Sequence, residues 1–167
     1  MDFDLPPELA ELQATVRKLA QERVAPRARE IDATEQYPQD LFDLFVQSGI
    51  TGLCIPEEYG GSGAGILGLA LAIEEVAKYS NAASLMLLLT RLPTGPLLIA
   101  GSEKQQHKYL TPIATGEQRA AFGLSESQAG SDVMGMRTKA VRDGNEWVIS
   151  GTKCWMSGVF QADWYCV

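Results

Sequence analysis

The chain has 167 residues, enough for one ordinary domain or for one domain and part of a second, with 46% hydrophobic and 21% charged residues as in globular proteins. A net charge of −7 and the lack of any Lys/Arg block remove the electrostatic footprint that a nucleic-acid partner needs. Cys54, Cys154 and Cys166 form neither an even set nor a CxxC spacing, which argues against a disulfide framework or a zinc site and for reduced packing thiols.

The opening MDFDLPPELAEL is acidic and has no basic segment ahead of an apolar one, so it does not read as a secretory signal. The longest apolar run, residues 84–90, is far shorter than the ~20 residues of a membrane span. A cytoplasmic protein is expected.

Apolar residues at Leu9, Leu12, Val16, Leu19 and Val24 paint one stripe of an α-helix that starts at Pro6 and Pro7 and ends or kinks at Pro26. A shorter helix begins near Pro38 and runs through Leu41, Leu44 and Phe45 to Gly49. ITGLCIPEEYGGSGAG then reads as a connecting loop. Its Gly61, Gly63 and Gly65 only superficially resemble a dinucleotide loop, because no preceding strand, G-x-G-x-x-G spacing or downstream acid accompanies them.

Helices are expected over 66–79 and over the very apolar 82–92, the latter hydrophobic all round and therefore buried. A short apolar segment ends at Gly101, and Ser102 with Gln105 forms a capping box that opens a helix to about Thr115. His107, among glutamines and a lysine, reads as a solvated surface residue.

After Gly116 the pattern changes to strands. Residues 120–124 form the first; 138–142 and 146–150 flank an Asp143-Gly144 turn signal, and 153–156 and 163–167 follow as further strands. The fold class is mainly α: a helical domain over residues 1–117 and an antiparallel β domain over 118–167. That β portion is expected to be incomplete, because so few strands make no core of their own and leave edges unpaired.

The segment AAFGLSESQAGSD, residues 120–132, carries the most chemistry. It is a short apolar strand ending in a polar, glycine-punctuated loop, able to turn backbone N–H groups and serine hydroxyls toward a ligand. Lys153-Cys154-Trp155-Met156-Ser157 places a large aromatic beside small polar groups, which suits a flat cofactor. Taken alone, Trp155 could be a sheet-core aromatic, Ser125 and Ser131 could be turn-formers, and Asp132 could be a cap.

PEEYGGSG, IAGSEKQQHKYLTPIATGE, AFGLSESQAGSD, TKAVRDGNEWVISGTKCWMSG and ADWYCV, in this order and spacing, resemble the acyl-CoA dehydrogenases from about Leu9 to Val167. The resemblance implies an FAD enzyme that removes two hydrogens across the α and β carbons of an acyl-CoA thioester. It also implies electron-transferring flavoprotein as acceptor and a homo-oligomer, a dimer or tetramer. Phe122, Leu124 and Ser125 would lie along the flavin ring, with the Ser125 hydroxyl on its pyrimidine edge. Gly130 would permit close approach, Ser131 would meet the cofactor phosphate or the CoA arm, Trp155 and Met156 would border the flavin face, and Ser157 would point at N5.

In the family the base is a carboxylate from a carboxy-terminal helical domain, so it is expected beyond Val167. Glu126 is then not catalytic. The chain is read as a truncated piece that is inactive by itself and holds FAD weakly. It departs from the family at Ser125-Glu126-Ser127, where Thr-Glu-Pro is usual, and at Trp155-Met156-Ser157, where Trp-Ile-Thr is usual. Serine keeps the hydroxyl but restricts it less than threonine. Thr90-Arg91 replaces a common His-Asn or His-Ser on the helix that lines the acyl pocket. An acyl-CoA oxidase or flavin monooxygenase of the same fold, or a helical interaction module, are the alternatives.

Overall fold

A computed structural model describes residues 4–167. The first helix, α1 (Pro7–Leu19), lays its Leu9 and Leu12 against α4 (Gly65–Ala77), where Gly68 lets the two helices approach; a Cβ there would meet Leu12 at 3.3 Å. Pro26 does not end this helix. A five-residue wide turn (Ala20–Val24) and a tight one (Ala25–Arg27) absorb its missing N–H, and the chain continues as α2 (Ala28–Thr34), which the sequence pattern did not reveal. Glu35, at φ 54°, closes α2.

In α3 (Gln39–Gln47), Leu41, Phe42 and Phe45 are buried as the apolar spacing requires. The loop after Gly49 is not a surface connection. Ile50, Thr51, Leu53, Cys54 and Ile55 are all buried, and the backbone closes on itself through Ser62 N to Gly52 O, Gly63 N to Ile55 O and Gly65 N to Leu53 O, each 3.1 Å. A buried loop must pair its own polar groups in this way.

Helix α5 (Asn81–Leu88) is capped by Ser80 and buries Ala83, Ser84, Met86 and Leu87. It ends four residues short of the expected 92, and the apolar segment after Pro93 winds into α6 (Thr94–Ala100). The capping box of α7 (Glu103–Ala114) forms as read, with Gln105 N to Ser102 Oγ at 3.4 Å and Ser102 N to Gln105 Oε1 at 2.9 Å. His107 is exposed, its ring edge-on to Tyr59.

Between α1 and α4 sits one buried carboxylate. Glu75 accepts from Arg17 Nε at 3.2 Å, Arg17 Nη2 at 3.0 Å and Lys78 Nζ at 2.7 Å, and the Arg17 guanidinium first, then Lys78, holds its carboxyl below the usual range. A depressed folded pKa gives stability that is present above the unfolded value near 4.3 and lost as pH falls through the folded one. Acid unfolding followed by circular dichroism should therefore steepen below about pH 4. Glu75→Gln should flatten that limb, and an unchanged acid profile would contradict this assignment.

The strands form two pairs. β2 (Lys139–Asp143) and β3 (Glu146–Ser150) make the expected antiparallel hairpin, with Gly144 at φ 60° leading a Gly144-Asn145 loop one residue later than the turn signal. β1 (Ala120–Phe122) and β4 (Trp164–Cys166) pair parallel, which corrects the all-antiparallel expectation: the chain makes a long excursion and returns in the same direction. Residues 153–156 form no strand, because Trp155 takes φ 60°, outside any extended conformation.

The first pair is fastened to the helices. Arg119 N donates to Asp163 Oδ2 at 2.8 Å, the Arg119 guanidinium lies 4.1 Å from the Phe42 ring centroid, and Trp164 packs on Tyr109. The hairpin is exposed on both faces, with Trp147 64% accessible. No helix among the described residues is long and apolar enough to cross a membrane, and no cluster of metal-ligating side chains occurs among them.

Candidate functional site

The site begins where β1 runs out. Gly123 N donates to Cys166 O at 2.8 Å, and the missing side chain of Gly123 leaves room for Met156 and Lys153: a Cβ there would lie 2.3 Å from Met156 Cε and 3.3 Å from Lys153 Cβ. Cys154 N donates to Ser125 O at 3.0 Å. The two segments singled out in the sequence, far apart along the chain, are thus side by side.

Between them lies a buried carboxylate. Glu126 Oε1 accepts from Lys153 Nζ at 2.9 Å and from Thr138 N at 3.0 Å, and Oε2 accepts from Gln128 Nε2 at 2.6 Å and from Arg137 N at 2.7 Å. The Thr138 side chain first, then the Arg137 N–H and Lys153, hold its carboxyl far below the ordinary range. Lys153 Nζ also donates to Leu124 O at 3.0 Å. Sequence reasoning rejected Glu126 as a base but missed this role; the signal was an acid directly after the strand and a lysine heading the second segment. A carboxylate with both oxygens doubly engaged has no lone pair left for proton abstraction.

The turn closes through Glu126 N to Ala129 O at 2.9 Å and Ala129 N to Glu126 O at 3.0 Å, with Ser127 and Gln128 at its tip. Ser127 bonds Gln128, whereas the hydroxyls of Ser125, Ser131 and Ser157 have no protein partner among the described residues. Ser125 is half-buried; Gly130, Ser131 and Ser157 are exposed. The turn-former reading of Ser125 and Ser131 finds no support. Asp132 offers its backbone carbonyl to Gly135 N, and its side chain caps nothing.

Trp155 is 91% exposed, so it is no core aromatic. Leu124 is also partly exposed, and Phe122 and Met156 are half-buried. Lys153 is consumed by its three acceptors, so the site presents uncharged hydroxyls, N–H groups and an aromatic face. Such a surface fits a flat, edge-polar ring system.

Thr90 spends its hydroxyl on Leu87 O at 2.8 Å, and Arg91 Nη1 is buried with no acceptor among the described residues. The neighbouring cavity, bounded by Phe42, Met86, Leu89, Thr90 and Arg119, holds about 40 Å³, room for water rather than an acyl chain.

Comparison with known proteins matches residues 6–117 to the family model described as acyl-CoA dehydrogenase, N-terminal domain, and residues 121–167 to the one described as acyl-CoA dehydrogenase, middle domain. A probable acyl-CoA dehydrogenase of Mycobacterium leprae is 39% identical over 165 residues, covering 99% of this chain and 42% of its own length. A solved structure described as the electron transferring flavoprotein of Acidaminococcus fermentans superposes with a TM-score of 0.91 at 34% identity, covering 99% of this chain and 44% of that one. A glutaryl-CoA dehydrogenase from Mycobacterium smegmatis in complex with FADH2 gives 0.87 at 29% identity, covering 95% and 41%. The chain spans about 42% of the length of the curated relatives it matches.

Proposed function

The chain belongs to the acyl-CoA dehydrogenase family, and from that premise we propose that it supplies the helical unit, residues 1–117, and the flavin-facing strands, residues 118–167, for FAD-dependent α,β-dehydrogenation of an acyl-CoA thioester. The observation that carries this reading is the set of unspent serine hydroxyls around an outward indole, held by a saturated carboxylate. Those groups fit FAD.

Ser125 would donate to the pyrimidine edge, and Phe122 and Leu124 would pack along the ring. Trp155 and Met156 would border its face, with the Ser157 hydroxyl directed at N5. Gly130, with nothing within 4 Å of where a Cβ would stand, would admit a close ligand, and Ser131 would bond a phosphate or the CoA arm. When bound, FAD would supply the hydride acceptor for the β hydrogen. The chain's own residues bind and orient; the α proton goes to a base other than Glu126, whose oxygens are fully occupied. Electron-transferring flavoprotein is the proposed acceptor, and a homo-oligomer the proposed assembly, which the exposed apolar residues of the hairpin favour.

Titration of FAD into the chain, followed by quenching of flavin fluorescence, should give weak saturable binding. Ser125→Ala and Trp155→Ala should each weaken it about tenfold, the equivalent of one hydrogen bond or one ring contact. Binding unchanged in both variants would overturn the site assignment.

A further inference from the structure

Trp155 combines two properties that do not belong together. Its backbone is left-handed, at φ 60°, which is an outlier for a bulky residue, and its indole is almost wholly in solvent, so no burial offsets the strain. Such a conformation persists only where the surroundings over-determine it.

The surroundings here are specific. Immediately before Trp155, Cys154 N is tied to Ser125 O, and Lys153 Nζ reaches across to Leu124 O, Glu126 Oε1 and Met136 Sδ. Glu126 in turn grips Gln128, Arg137 and Thr138. The side chains of Glu126 and Lys153 are 3% and 9% accessible, and their polar valences are filled within the protein. The pair therefore cannot touch a ligand. With Cys154 N held on Ser125 O and the side chains of both Lys153 and Met156 packed against Gly123, the residue between them is the one left facing outward.

We propose that the buried Glu126–Lys153 pair is the positioning device of this site: it forces Trp155 into the left-handed backbone conformation and so presents the indole at the face where the flavin binds. The statement about the flavin rests on the proposed function; the statement about the backbone does not.

A double-mutant cycle on the whole chain tests both, using amide-exchange mass spectrometry of peptides covering residues 118–167. Trp155→Gly should raise protection there about fivefold, because glycine adopts φ 60° freely and the exposed indole contributes no burial. In a Lys153→Met or Glu126→Gln background that gain should vanish, since the released segment no longer imposes the conformation. Lys153→Arg, which can still bridge Leu124 and Glu126, should restore most of it.

A Trp155→Gly gain of the same size in every background would overturn the proposal, as would no gain in the wild-type background. FAD titration of the same proteins separates the two readings. Coupled protection with FAD affinity indifferent to Trp155 would leave the positioning pair standing and remove the flavin from the site. Loss of FAD affinity in Trp155→Gly with no coupling to Lys153 would do the reverse.

Discussion

Alanine at Gly61 is expected to destabilise the chain by about 3 kcal/mol or more, measured by urea unfolding. A Cβ there would stand 1.9 Å from Ile55 O, 2.5 Å from Ile55 C and 2.6 Å from Gly52 O. All three are main-chain atoms of a buried turn whose hydrogen bonds run through Gly52 and Ile55, so no side chain can swing aside to make room. Gly63→Ala is the control: its Cβ would meet only the Glu57 side chain, Cγ at 3.6 Å and Oε1 at 3.9 Å, and its cost is that of φ 66° in a residue with a Cβ, about 1–2 kcal/mol. The contrast bears on function, because a phosphate-cradling glycine would lose ligand affinity on substitution while the fold survived. Two equally mild variants would reopen the dinucleotide-loop reading.

Phe45→Ala should cost about 3–5 kcal/mol. The ring is 0% exposed on α3 and belongs to the same core as Ile55, Leu87, Leu110 and Val76, so its loss leaves a cavity bordered by several elements that cannot all move in. The consequence for the site is indirect but definite. Phe42, three residues earlier on the same helix, carries the Arg119 guanidinium, and Arg119 pairs with Asp163 to anchor β1 and β4. A loosened α3 should therefore release the strand pair as well, visible as a red-shifted emission from Trp164, which now packs on Tyr109. A loss under 1 kcal/mol would mean that this core is not the continuous unit described.

Much of the helical part was legible because its signals are local. The 3.6-residue stripe of α1, the Ser102-Gln105 box of α7 and the Pro38 start of α3 each act within one or two turns of chain. The same holds for the hairpin, where Gly144 marks the turn to within one residue. Helices α2 and α6 escaped notice because each follows or contains a proline that normally signals an ending; here the wide turn at Ala20–Val24 and the burial of Thr94 and Gly95 carried the helical path past it.

Local pattern was enough for the mainly helical fold class, the family resemblance and the polar bend after Leu124, because helix periodicity, capping and turn chemistry are encoded over a few neighbouring residues. Long-range packing set the rest: β1 and β4 run parallel, the loop after Gly49 is core, and residues 153–156 are no strand. It also gave Glu126, already set aside as a base, its place as the buried partner of Lys153. Each of these depends on which distant donor meets which acceptor in a space closed to water, and that is set by packing of the whole chain rather than by any local run of residues.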